Sequence, residues 1–237
     1  MTDGETTARQ YDAMADAYTA DNAVNAYNSL YERPSTISLL GRVAGSRVLE
    51  VGCGGGELTS WLVEQGATVT AVDVSPRMVE LARSRTNGAA TVLLADVAEP
   101  LAFAGDDSFD LVVASLVLHY IRDWVPVLTE FRRVLHERGA VVFSTHHPAM
   151  DWLLHSADDY FAVKQVSERW DKGGRDYDVT FWRRPLTEIC AAVAAAGFLI
   201  ERLVEPPPPP ALAEVDPDSY RRIATEPAFL FFRLLPA

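Results

Sequence analysis

The sequence predicts an α/β protein with a doubly wound sheet of seven strands, mostly parallel, whose last strand runs antiparallel. Short β-branched runs alternate with longer helical patterns from Arg47 onward, and this alternation is typical of βαβ units. The last two apolar runs have no clear helix between them, which predicts an antiparallel pair at one edge of the sheet. The 237 residues suffice for one large domain with a full core and are few for two such domains.

Each predicted element follows from its own local pattern. The seven predicted strands are β-branched or continuously apolar runs at 47–51, 68–74, 91–97, 109–116, 140–145, 198–204 and 228–235. The predicted helices have helical periodicity and cover 57–66, 75–86, 125–139 and 186–197. Ser75 and Pro76 supply an N-cap and a favourable first residue for the second of these helices. The run PPPPP at 206–210 predicts a stiff polyproline spacer, with a recognition site for an aromatic groove as the alternative.

The composition argues against several classes of partner. Lys and Arg total 21 against 33 Asp and Glu, which gives a net charge of −12 without a compensating basic block. Nucleic acid and anionic membrane surfaces are therefore not expected partners. Cys53 and Cys190 suggest neither a disulfide framework nor a metal site, which fits a reducing compartment. The N-terminus lacks the apolar core of a signal peptide and no apolar run is long enough to span a bilayer, so we expect a cytoplasmic protein.

A glycine-rich loop, GCGGG at 52–56, lies between the first predicted strand and the first predicted helix, where ligand atoms can approach the backbone. The dinucleotide pattern requires a glycine where this sequence has Glu57. Glu50 adds a second carboxylate, which favours a cation over a pyrophosphate. S-adenosylmethionine combines an adenosine with positive charge, and Asp73 is placed to hold two ribose hydroxyls. NAD stays open because the same Asp73 would serve it, and a turn or helix-cap role for Asp73 is the structural alternative.

Five stretches, in this order and at these spacings, resemble the successive motifs of class I S-adenosylmethionine-dependent methyltransferases: VLEVGCGGGELT, VTAVDVSPRM, LLADVAEPLAF, DSFDLVVASLVLHYI and VLTEFRRVLHERGAVVFST. The similarity is greatest to the small-molecule group that includes ubiquinone and menaquinone methyltransferases. It covers residues 9–145 and, less closely, the tail after 184. The resemblance implies a Rossmann-like fold and S-adenosylmethionine as the cofactor.

The resemblance also implies which residues contact the methionine part of the cofactor. Gly52, Cys53 and Gly54 would contact it directly. Glu50 would lie near its ammonium group, through water. Ser115, at the end of the fourth predicted strand, would place its backbone near the sulfonium.

A second implied set of residues surrounds the adenosine part. Asp73 would hold the ribose, and Val74 and Met78 would flank the adenine. Asp96 would accept a hydrogen bond from the adenine amino group, with the backbone amide of Val97 donating nearby.

The resemblance also predicts the role of the N-terminal helix and the parts into which the domain is divided. Tyr11 and Tyr18, in YDAMADAY, resemble residues of the family's N-terminal helix that close over the cofactor; packing of that helix on the domain is the alternative. We expect one methyltransferase domain in four parts, namely an N-terminal helical lid, a cofactor-binding core, a cap, and a C-terminal helix with edge strands, at 1–40, 41–145, 146–185 and 186–237.

Histidines are the candidate catalytic residues. A methyl group on a sulfonium is already activated, so holding a nucleophile in line and excluding water can suffice. An alcohol, a phenol or an acidic carbon can still need a base, for which histidine is the usual candidate. His146 and His147 follow the fifth predicted strand at the carboxyl end of the sheet; the alternative is a loop histidine bonded to backbone. His119, after the fourth strand, is expected beside the cofactor and the substrate.

The segment Asp151–Trp182 departs from the α/β alternation and is rich in aromatic residues. Aromatic side chains above the active end predict a cap over an apolar or aromatic substrate, with Trp152 and Tyr160 among the contacts. A small core of the cap itself, or a homodimer contact, is the alternative. Arg33 is expected to bind a substrate anion or to pair with an acid of the cap.

The sequence therefore predicts an S-adenosylmethionine-dependent methyltransferase that acts on oxygen, nitrogen or carbon of a small organic molecule. No metal ion is expected. Two alternatives stay open: an NAD-dependent oxidoreductase, and a protein that binds S-adenosylmethionine without transferring its methyl group.

Overall fold

The N-terminal segment is helical. The structure, a computed structural model, describes residues 2–155 and 158–237; Met1 of the predicted lid and Ser156 and Ala157 of the predicted cap lie outside these ranges. Helix α1 (Asp3–Asn22) starts with a capping box between Thr2 and Glu5, and is followed by a π-helix (Ala26–Glu32) and by α2 (Arg33–Leu40).

Nine strands are described: β1 (Arg47–Val51), β2 (Thr68–Asp73), β3 (Thr91–Leu94), β4 (Phe109–Ser115), β5 (Leu135–His146), β6 (Lys164–Lys172), β7 (Arg175–Arg183), β8 (Phe198–Val204) and β9 (Phe229–Pro236). Seven of them form one sheet in the order β3-β2-β1-β4-β5-β9-β8. The pairs among β1 to β5 are parallel, and β9 runs antiparallel to both β5 and β8. The predicted fold class is confirmed, and the strand order reverses between β1 and β4, where such sheets bind ligands.

Helices cover both faces of the sheet: α3 (Glu57–Glu64), α4 (Pro76–Thr86), a 3-10 turn (Leu118–Tyr120), α5 (Trp124–Val134), α6 (Pro148–Leu154), α7 (Leu186–Ala195), α8 (Pro210–Val215) and α9 (Pro217–Ile223). The backbone of β1 separates two apolar cores: Leu49 and Val51 pack in one, and Val48 in the other. The hydroxyl of Ser75 accepts from the Met78 amide, which confirms the predicted N-cap of α4.

The prediction of a helix over 125–139 is wrong at its C-terminal end. Helix α5 stops at Val134, and Leu135 already pairs with Phe109 of β4. A β-carbon on Gly139 would lie 2.8 Å from the Asp110 carbonyl oxygen, so glycine is needed where β5 passes close to β4. This contact between distant residues converts a locally helical pattern into strand.

The connection between β8 and β9 contains helices that the sequence did not indicate. The prolines up to Pro209 have no regular secondary structure, with Pro209 in extended backbone, and Pro210 begins α8. The hydroxyl of Tyr31 donates to the Pro206 carbonyl at 2.8 Å and fixes this spacer to the N-terminal segment. A proline with its fixed φ is favourable at a first helical position, which explains why the run ends in a helix.

The predicted cap consists, in the described residues, of α6 and an antiparallel hairpin of β6 and β7. Gly173 and Gly174 join these strands with φ of +66° and +79°, the backbone of a tight hairpin turn. Phe181 of β7 is buried together with Met14 of α1 and with Tyr120. Part of the aromatic content of the cap therefore packs against α1 and Tyr120, a core shared with other parts of the chain that the sequence did not indicate.

Candidate functional site

The glycine loop leaves β1 at the point where the strand order reverses. Gly52, Gly54 and Gly56 have φ of +67°, +53° and +83°, which side chains disfavour. A β-carbon on Gly52 would lie 2.2 Å from a methyl group of Val117, because the loop passes close to the chain that follows β4. Nothing lies within 4 Å of the corresponding position on Gly54, which lines a cavity.

Asp73, the last residue of β2, holds this loop in place. The Gly54 amide donates to its Oδ2 at 2.8 Å, and the Ser75 amide donates to its Oδ1 at 2.9 Å. Burial raises the pKa of the Asp73 carboxyl, and the donating amides of Ser75 and Gly54 partly oppose that rise. Each carboxylate oxygen has a further lone pair, and Asp73 lines the cavity, so it can still accept hydroxyl groups.

The cavity beside the loop, called here the first cavity, is rich in carboxylates. Five acidic residues and one basic residue line its described wall: Glu32, Glu50, Glu57, Asp73, Asp96 and Arg33. Of these, Glu57 is paired with Arg85 through a bond of 2.5 Å. This excess of negative charge suits a positively charged ligand and is unfavourable for a pyrophosphate.

Glu50 is one of the two most buried of these acids, with 3% of its surface exposed. Burial raises the pKa of its carboxyl to about 8, with the neighbouring charges of Glu57 and Asp73 adding to the rise and Thr59 and Arg33 opposing it. Its Oε2 is buried and has no hydrogen-bond partner among the described residues. A buried carboxylate oxygen without a partner fits a site for a cationic group such as the ammonium of S-adenosylmethionine.

Helix α1 covers the first cavity. The rings of Tyr11 and Tyr18 meet edge to face with centroids 5.1 Å apart, and the Tyr11 and Tyr120 hydroxyls are hydrogen-bonded at 2.7 Å. Burial raises the pKa of the Tyr11 and Tyr18 hydroxyls well above the usual value, so both are neutral. Asp12 of α1 accepts from the hydroxyl of the buried Ser75, which joins α1 to the start of α4.

The remaining predicted cofactor residues do not all reach the first cavity. Five of them line it: Cys53, Val74, Asp96, Val97 and Ser115. Met78 does not, because its side chain is fully buried under α1, where its sulfur accepts from the Thr19 hydroxyl at 3.7 Å. Asp96 packs against Gly4, where a β-carbon would lie 1.8 Å from a carboxylate oxygen.

A second cavity opens next to the first and encloses about 720 Å³. The residues common to both walls are Tyr11, Tyr18, Asn28, Leu116 and Tyr120, and they are called here the junction. The wall of the second cavity includes the aromatic side chains of Tyr27, Trp170 and Phe229.

Two histidines lie together on the wall of the second cavity. The rings of His119 and His146 are stacked with centroids 4.0 Å apart, and His146 also meets Phe181 edge to face. Burial lowers the pKa of His119 well below its usual value, and the nearby His146 and Arg184 lower it further.

His146 carries an acidic partner that His119 lacks. Its Nδ1 lies 3.4 Å from Oδ1 of Asp151, whose side chain is almost fully buried. Burial lowers the pKa of His146, but the carboxylates of Asp151 and Glu168 outweigh burial and leave the pKa raised. The contact has the distance of an ion pair but is not a hydrogen bond, so Asp151 acts on His146 through its charge.

Four other predicted site residues lie away from the second cavity. His147 is the N-cap of α6, accepting from the Ala149 amide, and its Nε2 lies 2.7 Å from a Glu205 carboxylate oxygen. Trp152 and Tyr160 contact each other edge to face, and the described wall of neither cavity contains them. Arg33 lines the first cavity instead of the second and donates to the Asn22 side chain.

Several site residues were missed by the sequence reasoning. Glu32 and Tyr120 line the first cavity, and Asp151, Glu168 and Trp170 line the second. Glu168 and Trp170 are two residues apart in β6 and therefore lie on the same face of the strand, which a period-two pattern in the sequence could have indicated. Asp151 stands one helical turn after His147, a spacing that does not by itself point to His146. Among the described residues, no cluster of His, Cys, Asp and Glu could hold a metal ion.

Comparison with known proteins decides the family. A family model described as "Methyltransferase domain" matches residues 49–143. A methyltransferase of Synechocystis sp., itself uncharacterized, is 34% identical over 160 residues, which is 67% of this chain and 69% of that protein. A crystal structure of an S-adenosylmethionine-dependent methyltransferase from Mesorhizobium loti is 26% identical with a TM-score of 0.69, and the alignment covers 85% of this chain and 95% of that one. The chain belongs to the S-adenosylmethionine-dependent methyltransferase family.

Other relatives within this family are named for small-molecule and carrier-bound substrates. A demethylmenaquinone methyltransferase of Tropheryma whipplei is 26% identical, and the alignment covers 74% of this chain and 85% of the relative. The chain spans only 59% of a Haemophilus influenzae protein and 55% of a malonyl-[acyl-carrier protein] O-methyltransferase of Paenibacillus sp.. Family membership confirms the predicted resemblance and does not favour the NAD-dependent alternative.

Proposed function

We propose that this chain transfers the methyl group of S-adenosylmethionine to an oxygen, nitrogen or carbon atom of a small organic molecule. One observation carries the proposal: a carboxylate-rich cavity at the glycine loop and a larger cavity with aromatic walls meet at the junction. A cofactor in the first cavity and an acceptor in the second would then face each other across the junction. Bringing two reactants into line is a large contribution that a protein can make to such a transfer.

The donor set of the first cavity fits the cofactor. Asp73 would accept the ribose hydroxyls, Glu50 would lie beside the ammonium group, and the backbone of Gly52 and Gly54 would approach the methionine part. Asp96 would accept from the adenine amino group. When bound, S-adenosylmethionine supplies a methyl group already activated by the positive charge on its sulfur.

Helix α1 must shift to admit this cofactor. The first cavity encloses about 120 Å³ in the structure, below the roughly 300 Å³ at the lower end of ligand pockets. The side chains that narrow it from α1 include Tyr11 and Tyr18. The Asp16–Arg77 ion pair between α1 and α4 is exposed and therefore weak, whereas the Tyr11–Tyr120 hydrogen bond is partly buried and would have to break or move with the helix. These features support the proposal of an N-terminal helical lid, which excludes water once it has closed.

We propose His146 as the general base when the acceptor needs one. Its Nδ1 is beside Asp151, which leaves Nε2 to take a proton from the acceptor. The imidazolium formed in this way would be stabilised by Asp151. His119, which burial keeps neutral, supports the ring of His146 from one face. His147 has no place in this proposal, because its side chain is engaged with Glu205 and the α6 backbone.

The second cavity indicates the chemical class of the acceptor. Tyr27, Trp170 and Phe229 provide flat apolar surface for an aromatic or apolar molecule. The described wall has more acidic than basic residues, namely Asp21, Asp151, Glu168, Asp171 and Glu226 against Lys172 and Arg222, and this excess is unfavourable for an anionic acceptor. The three aromatic side chains take the role that the sequence assigned to Trp152 and Tyr160. Together with the acids, they support a neutral or positively charged aromatic acceptor.

The proposed activity can be tested with the purified chain. S-adenosylhomocysteine release is measured with a panel of phenols, arylamines and aromatic acids as acceptors. The proposal predicts release that depends on an acceptor and is greatest for neutral or cationic aromatic molecules. Cofactor binding without release for any acceptor would instead indicate a protein that binds S-adenosylmethionine without transferring its methyl group.

The cellular setting stays a prediction. Cys53 and Cys190 are both free thiols, which supports a reducing, cytoplasmic location. In the described ranges, no helix is both long and apolar enough to cross a membrane. The predicted homodimer contact can be tested by sedimentation of the purified chain.

A further inference from the structure

Glu32, the last residue of the π-helix, is a buried acid with an unusual set of partners. Only 3% of its surface is exposed. Its Oε1 accepts three hydroxyl groups, from Thr36 at 2.7 Å, Ser115 at 2.8 Å and Ser144 at 2.6 Å. Three donors on one oxygen form the arrangement that stabilises a negative carboxylate.

The charge of Glu32 has no cationic partner among the described residues. No ion pair in the described ranges joins Glu32 to a Lys, Arg or His side chain. The neighbouring Arg33 donates to the carbonyl and side-chain oxygens of Asn22 instead. Oε2 of Glu32 makes no hydrogen bond with the described residues, and Glu32 lines the first cavity. The three hydroxyl groups stabilise one oxygen of this charge, and the other oxygen is left without a partner in a residue that lines the cavity, where a cation can join it.

Glu32 lies at the end of the first cavity where the methyl group must leave. Its hydroxyl donor Ser115 directly precedes Leu116, and Asn28 lies four residues before Glu32 in the π-helix. Leu116 and Asn28 both belong to the junction. A methyl group that passes from the first cavity to the second must cross the junction, so the sulfur that carries it must lie beside these residues.

We propose that Glu32 is the counter-charge of the sulfonium and lets this chain bind S-adenosylmethionine more tightly than S-adenosylhomocysteine. The inference rests on the proposed function, since it requires the cofactor in the first cavity. Methyl transfer removes the positive charge from the sulfur, and the product then loses its attraction to Glu32. The carboxylate thereby favours exchange of spent product for fresh cofactor.

Glu50 offers a matched comparison in the same cavity. It is also buried, and it lies on β1 near the position proposed for the ammonium group. Both S-adenosylmethionine and S-adenosylhomocysteine carry that ammonium, whereas only the first carries a sulfonium. Replacement of the Glu50 carboxyl should therefore affect both ligands equally, and replacement of the Glu32 carboxylate should affect one.

The test is titration calorimetry of wild type, Glu32→Gln and Glu50→Gln with each ligand. We expect Glu32→Gln to weaken S-adenosylmethionine at least tenfold, which is 1.4 kcal/mol, and to change S-adenosylhomocysteine less than threefold. Glu50→Gln should weaken both ligands by similar factors. Equal changes for both ligands in Glu32→Gln, or no change for either, would overturn the inference.

Wild-type protein gives a second measurement if Glu32→Gln does not fold. Sinefungin carries an amine-bearing carbon in place of the methylated sulfur, so it presents a positive charge at the same position. We expect sinefungin and S-adenosylmethionine to bind at least tenfold more tightly than S-adenosylhomocysteine, and equal affinities would contradict the role of Glu32. Failure of all three ligands to bind would instead overturn the proposed function itself.

Discussion

Replacement of Asp73 by alanine probes the cofactor site most severely. The change removes a carboxylate that would accept two ribose hydroxyls and that already accepts the amides of Gly54 and Ser75. A hydrogen bond to a charged group contributes about 1.5–3 kcal/mol, so losing two of them predicts a loss of roughly 3–6 kcal/mol, or about 10²–10⁴-fold in affinity.

The same change should also lower the stability of the protein. The two amides lose their acceptor, which costs about 1–3 kcal/mol for each one left buried and unsatisfied. Two effects offset part of this loss. Burial raises the pKa of Asp73, so the buried charge is itself unfavourable and its removal is stabilising, and water that enters the cleft can accept from the freed amides. We expect a net fall of about 1–3 kcal/mol in the free energy of unfolding, which leaves a folded protein.

Titration calorimetry with S-adenosylmethionine, together with thermal melting, measures both effects. Asp73→Asn keeps the size of the side chain, and Asp106→Ala removes the same charge from an exposed position that does not line the first cavity. The control should bind as wild type does. A folded Asp73→Ala protein whose affinity is within threefold of wild type would refute the assignment of Asp73 to the ribose.

Three further predictions concern the second cavity and the lid. Asp151 raises the pKa of His146, so a reaction that uses His146 as base should become faster as the pH rises through a value above 6.5. Asp151→Asn should move this rising part of the plot of kcat against pH to lower pH. A rising part that does not move would contradict the pairing of His146 with Asp151. His147→Ala should leave kcat unchanged and lower the free energy of unfolding by about 0.5–2 kcal/mol, the effect of a lost N-cap, as measured by urea titration. Bound S-adenosylmethionine should slow amide hydrogen exchange in α1 at least tenfold without changing α5; equal exchange in both states would argue against a lid.

The parts of the fold that could be predicted are those encoded locally. Ser75 and Pro76 mark the start of α4 in sequence, and the structure confirms that cap. The place of Asp73 at the end of β2 also follows from local pattern, because a buried strand that ends in an acid beside a glycine loop has few arrangements. The start of β5 at Leu135 depends on its pairing with Phe109, which no local pattern contains.

The parts of the site that escaped prediction depend on contacts between distant segments. His146 and His147 are adjacent in sequence, yet only His146 faces the second cavity, because His147 caps α6 and contacts Glu205. Glu32 lies in a polar helical stretch whose pattern gives no reason to expect burial. Its importance appears only where Ser115 and Ser144, from two strands of the sheet, converge on one of its oxygens.

The most direct test of the central claim is titration calorimetry of the purified chain with S-adenosylmethionine and, separately, with NAD. The carboxylates of the first cavity predict binding of S-adenosylmethionine at one site and no detectable binding of NAD. Binding of NAD, or of neither ligand, would contradict the claim that the first cavity is built for a positively charged adenosine cofactor.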